Sequence, residues 1–355
     1  MARLDALFKI LKDQGASDLH LAAGIPPHLR RHGVVAPVAD WPVFTNENLR
    51  AHLQELTSEK QWAHYTSNLD LDFAYAIPGL ARFRANFFNQ EHGAGAVFRI
   101  IPERIRTLEE LKAPAALAAL ANLEQGLVLV TGPTGSGKST TLAAIIDQVN
   151  SASARHIITI EDPVEFVHVN KRSTLSQREV GVDTKSFANA LRSAIRQDPG
   201  VILVGEMRDM ETISLAITAA EMGVLVFGTL HTNSAPKTID RVIDAFPTDQ
   251  QQQVRTMLSE SLAAVVSQLL LKTPDGAGRV AVHEILLKTP GLPNVIREGN
   301  TPMISSIIQQ GKAQGMQVMD DVLFKLATEK KISAEDAFHK ATHKARFEPM
   351  LSPDA

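Results

Sequence analysis

Residues Gly132 to Thr140 read Gly-Pro-Thr-Gly-Ser-Gly-Lys-Ser-Thr, and they constrain the fold more than any other stretch of this 355-residue chain. The apolar run Leu127-Val128-Leu129-Val130 precedes them, and Leu142 to Val149 reads as a helix after them. Strand, glycine-rich loop ending in Gly-Lys-Ser, then helix is the context in which this pattern binds phosphate. The glycines let the backbone curl until several N–H groups point at phosphate oxygens. The helix that follows presents its positive dipole end to the same anion. Gly132, Pro133, Thr134, Gly135, Ser136, Gly137, Lys138, Ser139 and Thr140 are therefore the expected nucleotide-binding residues. Lys138 is expected at the β- and γ-phosphates of a nucleoside triphosphate, and Ser139 on its Mg2+.

A chain of this length suggests about two domains. Its 44% hydrophobic content suffices for sizeable cores. The net charge of −3 gives no global drive toward nucleic acid or an anionic membrane. With no cysteine, a disulfide, a thiolate zinc site and a cysteine nucleophile are all excluded. The first residues, Met-Ala-Arg-Leu-Asp-Ala-Leu-Phe-Lys, start an amphipathic helix and do not resemble a signal peptide. No apolar run approaches the roughly 20 residues that span a bilayer. A soluble cytoplasmic protein without direct membrane insertion is expected, with any membrane work passing through a partner.

Residues 1 to about 101 mix short helical and strand patterns. Leu4, Leu7, Phe8 and Leu11 form a helical stripe. Arg82-Phe-Arg-Ala-Asn-Phe-Phe88 alternates like a strand, with Gly95 to Arg99 as its neighbour. This reads as a small α+β domain. Residues 102–114 read as a linker containing a capping-box candidate, Thr107-Leu-Glu-Glu110. Residues 115–355 alternate strand and helix, with strands expected at Leu127–Thr131, Ile157–Glu161, Val201–Val204 and Val224–Thr229. Near-continuous apolar strands between helices imply a parallel sheet covered on both faces, with ligands at the carboxyl ends of the strands. Beyond about residue 290 the pattern is helical, and Phe324, Leu326 and Phe338 read as packing residues.

The informative polar residues fall at those strand ends. One strand runs into Glu161, Asp162 and Glu165, a second into Gly205-Glu206, and a third into His231. If the strands share a sheet with the phosphate loop, these groups converge on the γ-phosphate. Hydrolysis there needs a positioned water and charge stabilisation more than covalent chemistry. Glu206 is expected to orient and polarise the water; an N-terminal helix cap or a surface ion pair with Arg208 is its simpler reading. Glu161, Asp162 and Glu165 act through water on Mg2+, or hold neighbouring basic groups, or are strand-end turn residues around Pro163. His231 either senses the γ-phosphate and relays its state, or is a structural histidine. His28/His32 and His339/His343, each four apart, lack a third ligand. Asn170-Lys171 is followed by Arg-Ser, so the Asn-Lys-x-Asp guanine reader is absent and ATP is favoured over GTP. His283-Glu284 lacks the second histidine of a zinc protease.

The phosphate loop, Thr159-Ile-Glu-Asp-Pro-Val-Glu165, Gln197 to Asp209 and Gly228-Thr-Leu-His-Thr-Asn-Ser234 together resemble the secretion/type IV pilus ATPases, and more narrowly their pilus-retraction branch. The likeness extends to Ala16-Ser-Asp-Leu-His-Leu21 and Arg82-Phe-Arg-Ala-Asn86. It implies a RecA-like ATPase domain preceded by a small PAS-like domain, and a homohexamer with nucleotide between neighbours. It implies an Asp box in Glu161, Asp162 and Glu165, an atypical Walker B in Glu206, a His box in His231, and metal contacts from Ser139 and Asp162. Arg82, Arg84 or Arg99 would reach nucleotide in trans as arginine fingers; Arg82 and Arg84, two apart on a strand, share a face. Implied partners are an inner-membrane pilus platform protein and a paralogous retraction ATPase, at a cytoplasmic site peripheral to the inner membrane. The alternatives are an extension or type II secretion ATPase, which usually carries a longer N-terminal extension and a four-Cys zinc site, and a nucleotide-gated scaffold. Three departures stand out. Gly200 replaces an Asp usual in the family, Val295-Ile-Arg-Glu-Gly-Asn300 replaces Ala-Ile-Arg-Ala-Gly-Glu, and Gly205-Glu206 stands where many phosphate-loop enzymes have Asp-Glu.

Overall fold

The computed structural model describes residues 3–31, 33–101, 104–276 and 278–351. His32 and the first two linker residues, Pro102 and Glu103, lie outside the described residues. The chain divides into two compact units: residues 1–104 with 163–167, and residues 105–162 with 168–355.

The first unit is built on one antiparallel sheet of six strands, β1 (Asp18–Ala22), β2 (His28–Arg31), β3 (Val34–Pro37), β4 (Asp70–Ile77), β5 (Ala81–Gln90) and β6 (Gly93–Ile101), in the order β3-β2-β1-β6-β5-β4. Along β5 the alternation is strict. Ala81, Phe83, Ala85 and Phe87 are buried, while Arg82 and Arg84 emerge together on the other face. The helix Asp5–Asp13 lays its Leu7, Phe8 and Leu11 stripe into the same core. There Phe8 meets Phe83 at 4.6 Å and Phe98 at 4.8 Å. Tilted and edge-to-face aromatic pairs of this kind contribute beyond the area they bury.

The second unit carries seven strands: β7 (Gly126–Thr131), β8 (His156–Glu161), β9 (Thr174–Glu179), β10 (Val201–Val204), β11 (Leu225–Leu230), β12 (Leu262–Lys272) and β13 (Arg279–Leu287). Their order is β13-β12-β7-β11-β10-β8-β9, and every pairing is parallel except β12 with β13. Because side chains alternate across a strand, Val128 and Val130 enter one core with Ile145, Ile146 and Val149 of the phosphate-loop helix. Leu127 and Leu129 enter another with Ile213, Ile217, Ile239 and Val242. The sheet is thus covered on both faces, in the α/β class that the strand pattern implies. Leu108 is buried in this unit, and Thr107 and Glu110 cap each other reciprocally at 2.9 and 3.2 Å.

In the second unit, two strands are not legible in the sequence. β9, Thr-Leu-Ser-Gln-Arg-Glu, is polar because it lies at a sheet edge, where half of its surface faces water. β12 follows the helix Thr248–Ser261 with no intervening glycine or proline, so its apolar run reads as more helix. The C-terminal helices, including Met303–Gln310, Met319–Thr328 and Ala334–Lys340, pack partly on β12 and β13 through Leu271, Val282, Leu323 and Phe347. Phe324, Leu326 and Phe338 line that cluster. No helix among the described residues is long and apolar enough to cross a membrane.

Candidate functional site

β7 runs into the phosphate loop, and the helix Lys138–Ala152 leaves it. Gly132 has φ +145°, and a Cβ there would lie 2.2 Å from the carbonyl oxygen of Gln268 on β12. Gly137, the residue before the helix, is left-handed at φ +86°. Glycine alone satisfies both demands, a close backbone approach at one position and a positive φ at the other. Pro133, Thr134, Gly135 and Ser139 are exposed, whereas Ser136 is buried. The Lys138 ammonium donates to the carbonyls of Gly132 (2.8 Å) and Pro133 (3.2 Å), folding back over the loop. Thr140 lies in the first turn of the helix, half-buried.

The three other strand ends come together beside it. β11 pairs β7 on one side and β10 on the other, and β10 pairs β8, all in parallel register. Glu206 leaves β10 through Gly205, whose N–H donates to Ile160 at 2.7 Å. A Cβ on Gly205 would sit 3.1 Å from that carbonyl oxygen and 3.2 Å from the Glu161 Cα. The next residue, Met207, donates its N–H to Thr229 on β11 at 3.0 Å and packs against Gly228, where a Cβ would meet its sulfur at 2.7 Å. The Glu206 turn is therefore pinned to both neighbouring strands.

Glu206 Oε1 lies 2.9 Å from His231 Nε2 and is paired with the Arg208 guanidinium. Burial alone would raise the Glu206 carboxyl, but Arg208 and His231 together hold it below its usual range. It is thus a carboxylate at neutral pH, accepting a bond from the one imidazole at the end of the adjacent strand. Of the sequence readings of Glu206, the ion pair with Arg208 is present; the same carboxylate also faces His231. The helix cap next to it is Asp209, which accepts from Thr212 N–H at 2.8 Å. Glu161 accepts from Thr159 Oγ1 at 2.7 Å and Gln177 Nε2 at 3.3 Å. Asp162 is exposed and close enough to Arg208 to favour its charged form.

Glu165, Arg82, Arg84 and Arg99 belong to the first unit. Arg84 stands 3.7 Å from Glu165 and 3.9 Å from Asp72. Arg82 Nε donates to the Val164 carbonyl at 3.1 Å. Arg99 lies directly opposite Arg84 on β6 and donates to buried Asp18 at 2.8 Å. Glu161, Asp162, Glu206 and His231 are thus gathered on the sheet of the phosphate loop. Glu165 is gathered with Arg82 and Arg84 on the other unit.

Three further residues touch this machinery without having been singled out for it. Gln177 links Glu161 to the backbone N–H of His168, and no signal in a polar edge strand announces it. Gln268 is buried against the phosphate loop, and His283 is buried against Gln268. A glutamine inside an apolar strand run is itself a signal, because buried polar groups need partners. Among the described residues, no three His, Asp or Glu side chains form a group suited to a metal. His28 bonds its own turn at the Pro26 carbonyl, 2.7 Å away.

Comparison with known proteins supplies the family. Residues 3–346 match the family model described as Type II/IV secretion system protein. The chain is 53% identical to the "Type IV pilus retractation ATPase PilT" of Pseudomonas aeruginosa over 92% of this chain and 95% of that one. It is 52% identical to the "Twitching motility protein" of Neisseria gonorrhoeae over 89% and 84%. Among solved structures it superposes on the pilus retraction motor PilT with bound ADP at a TM-score of 0.89, with 44% identity, covering 98% of this chain and 99% of the other. With this fold, a nucleotide-binding phosphate loop and these relatives, the chain belongs to the Type II/IV secretion system protein family of ATPases.

Proposed function

We infer that this protein is an ATP-hydrolysing motor that drives type IV pilus retraction, and so twitching motility. The observation that carries the chemistry is the Glu206–His231 contact at adjacent strand ends beside the phosphate loop. The relatives named for retraction and twitching, matched over nearly their whole length, carry the biological assignment.

In this reading the loop N–H groups and Lys138 hold the β- and γ-phosphates of ATP. Mg2+, when bound, neutralises phosphate charge. Ser139, exposed in the first helical turn, is suited to ligate it, and Asp162 to reach it through water. Glu206, kept ionised by Arg208, orients the attacking water and accepts its proton. His231 Nε2 donates to Glu206 and holds that carboxylate in place. Glu161, anchored by Thr159 and Gln177, supports the same side.

The spread charge of a transferring phosphoryl group calls for an arginine, and the ATPase unit would receive it from a neighbour in a ring of six copies. Of the three candidates, Arg84 is best placed. Its pairs with Glu165 and Asp72 are long and half-exposed, so exchanging them costs little. Arg82 would surrender a hydrogen bond to Val164. Arg99 is the least available, because its departure removes a close cation from buried Asp18. Nucleotide-dependent closure would pass force from the ring to an inner-membrane platform protein. The protein would work in the cytoplasm at the membrane surface, alongside a paralogous retraction ATPase where one is present.

Glu206→Ala should still bind ATP and lose turnover by at least about 100-fold; full hydrolysis by that variant removes the assignment. Deleting the gene should leave cells hyperpiliated and unable to twitch. Cells without pili would point to the extension branch instead.

A further inference from the structure

β12 continues past its last pairing with β7, Ser267 with Thr131, while still paired with β13, and the first residue beyond that pairing is Gln268. Its side chain is buried at the root of the phosphate loop. Nε2 donates to the Ser136 carbonyl at 2.7 Å. Oε1 faces Thr141 Oγ1 at 2.8 Å and His283 Nε2 at 3.1 Å. A Cβ on Gly137 would come within 3.0 Å of Gln268 Nε2, and one on Gly132 would strike the Gln268 backbone oxygen. One residue therefore meets the loop at its entry, at its last turn and in the helix that follows.

The chemistry allows one arrangement of this network. A backbone carbonyl only accepts, so the amide nitrogen must face Ser136. The amide oxygen then faces Thr141 and His283, and the imidazole must carry its proton on Nε2 to donate. His283 is directly opposite Gln268 on β13 and equally buried. Burial lowers its pKa to about 4, which keeps it neutral with one N–H to give. Every member has a partner, so the carboxamide has no alternative rotation of equal energy.

We propose that Gln268, held in orientation by His283, is a positioning residue that presets the phosphate loop for nucleotide. The consequence follows from the planar trans peptide, whose C=O and N–H point in opposite directions. Tying the Ser136 carbonyl toward β12 directs the N–H of Gly137 away from β12, to the side on which the loop meets phosphate. The Thr141 bond fixes the first helical turn relative to that peptide, and with it Lys138 and Ser139. Preset donors bind phosphate without the cost of ordering the loop at the moment of binding.

The proposal rests on reading the loop as an ATP site, and the test separates the two. The full-length protein is titrated with a fluorescent ADP in Mg2+, and ATPase kcat and KM are measured beside the nucleotide-free melting temperature. Gln268→Met keeps the volume and removes both polar atoms. It should raise the dissociation constant and KM about tenfold or more while kcat falls only a few-fold. His283→Phe should follow in the same direction, and His283→Gln, which can still donate, should recover most of the affinity. Native-like affinity in Gln268→Met, or a lowered melting temperature with affinity unchanged, overturns the proposal. If Gln268→Met does not fold, Thr141→Val decides: several-fold weaker binding supports the proposal and unchanged binding overturns it. Failure of the native protein itself to bind the fluorescent ADP would instead remove the ATP reading.

Discussion

Glu284, next to His283 but on the opposite face of β13, offers a sharp test of how the ATPase unit is held together. Its buried carboxylate accepts the N–H of Ala235 at 2.7 Å and the backbone N–H of Met319. Those are the first residues of the helices Ala235–Asp244 and Met319–Thr328, and neither helix has a side-chain bond from its own N-cap residue. One carboxylate therefore caps two helices, where each helix end favours negative charge. The first helix begins four residues after His231, and the second belongs to the C-terminal region. Glu284→Ala leaves two buried donors unpaired at about 1–3 kcal/mol each. Removing the charge from a site where burial disfavours it returns part of that cost, so the net loss should be about 3 kcal/mol. For a unit of this size about 2–4 °C is lost per kcal/mol, which places the drop at about 6–12 °C. A calorimetric scan of the full chain, reading the transition of the larger unit, measures it. The sign with pH is also determined. Burial raises the folded pKa of Glu284 above 4.5, even against the two N–H bonds. Its contribution is therefore complete below that pH and declines as the pH rises through the folded pKa. The gap between native protein and variant should widen on acidification. A drop under about 2 °C refutes the double-cap argument, and a gap that narrows with acid shows instead that the two N–H bonds outweigh burial in setting the Glu284 pKa.

The Glu206 centre and the arginines make two more claims. Arg208→Ala removes the main group holding Glu206 below its usual range and leaves burial to raise it; the acid limb of kcat/KM should then move to higher pH, and an unmoved limb shows that Arg208 does not tune this carboxylate. Arg84→Ala should change nucleotide-free stability by no more than about 1 kcal/mol, because its pairs are exposed, yet cut turnover by at least about tenfold. Arg99→Ala should lower the melting temperature of the first unit instead; the reverse pattern in stability and turnover reverses the ranking of the two arginines.

Much of the site was readable because its chemistry is local in sequence. A phosphate loop is one continuous segment, and Glu161, Glu206 and His231 each end an apolar run that identifies itself as a strand. The departures from the family pattern could be read in the same way: Gly200, for instance, packs where a Cβ would meet the Arg155 side chain at 3.1 Å. What escaped was non-local or lacked contrast. β9 has no apolar signature, since an edge strand gains little by burying its outer side. β12 lost its boundary to the helix before it. Glu165 sits three residues from Asp162 in sequence, yet residues 163–167 group with the first unit, where Glu165 faces Arg84. Spacing alone could not show that separation.

A nucleotide-binding α/β chain with acidic and histidine residues at its strand ends is legible from the order of residues alone. Glycine positions, apolar runs and the Gly-Lys-Ser terminus carry that information through short-range sterics and hydrogen bonding. Which of these residues meet depends on how the strands are ordered in space. Strand order put His231 within 2.9 Å of Glu206 across 25 residues of chain, and brought Gln268 to the Ser136 carbonyl across 132. Those contacts arise because a sheet buried on both faces aligns strands by packing and register. Separation along the chain sets no limit on which residues become neighbours.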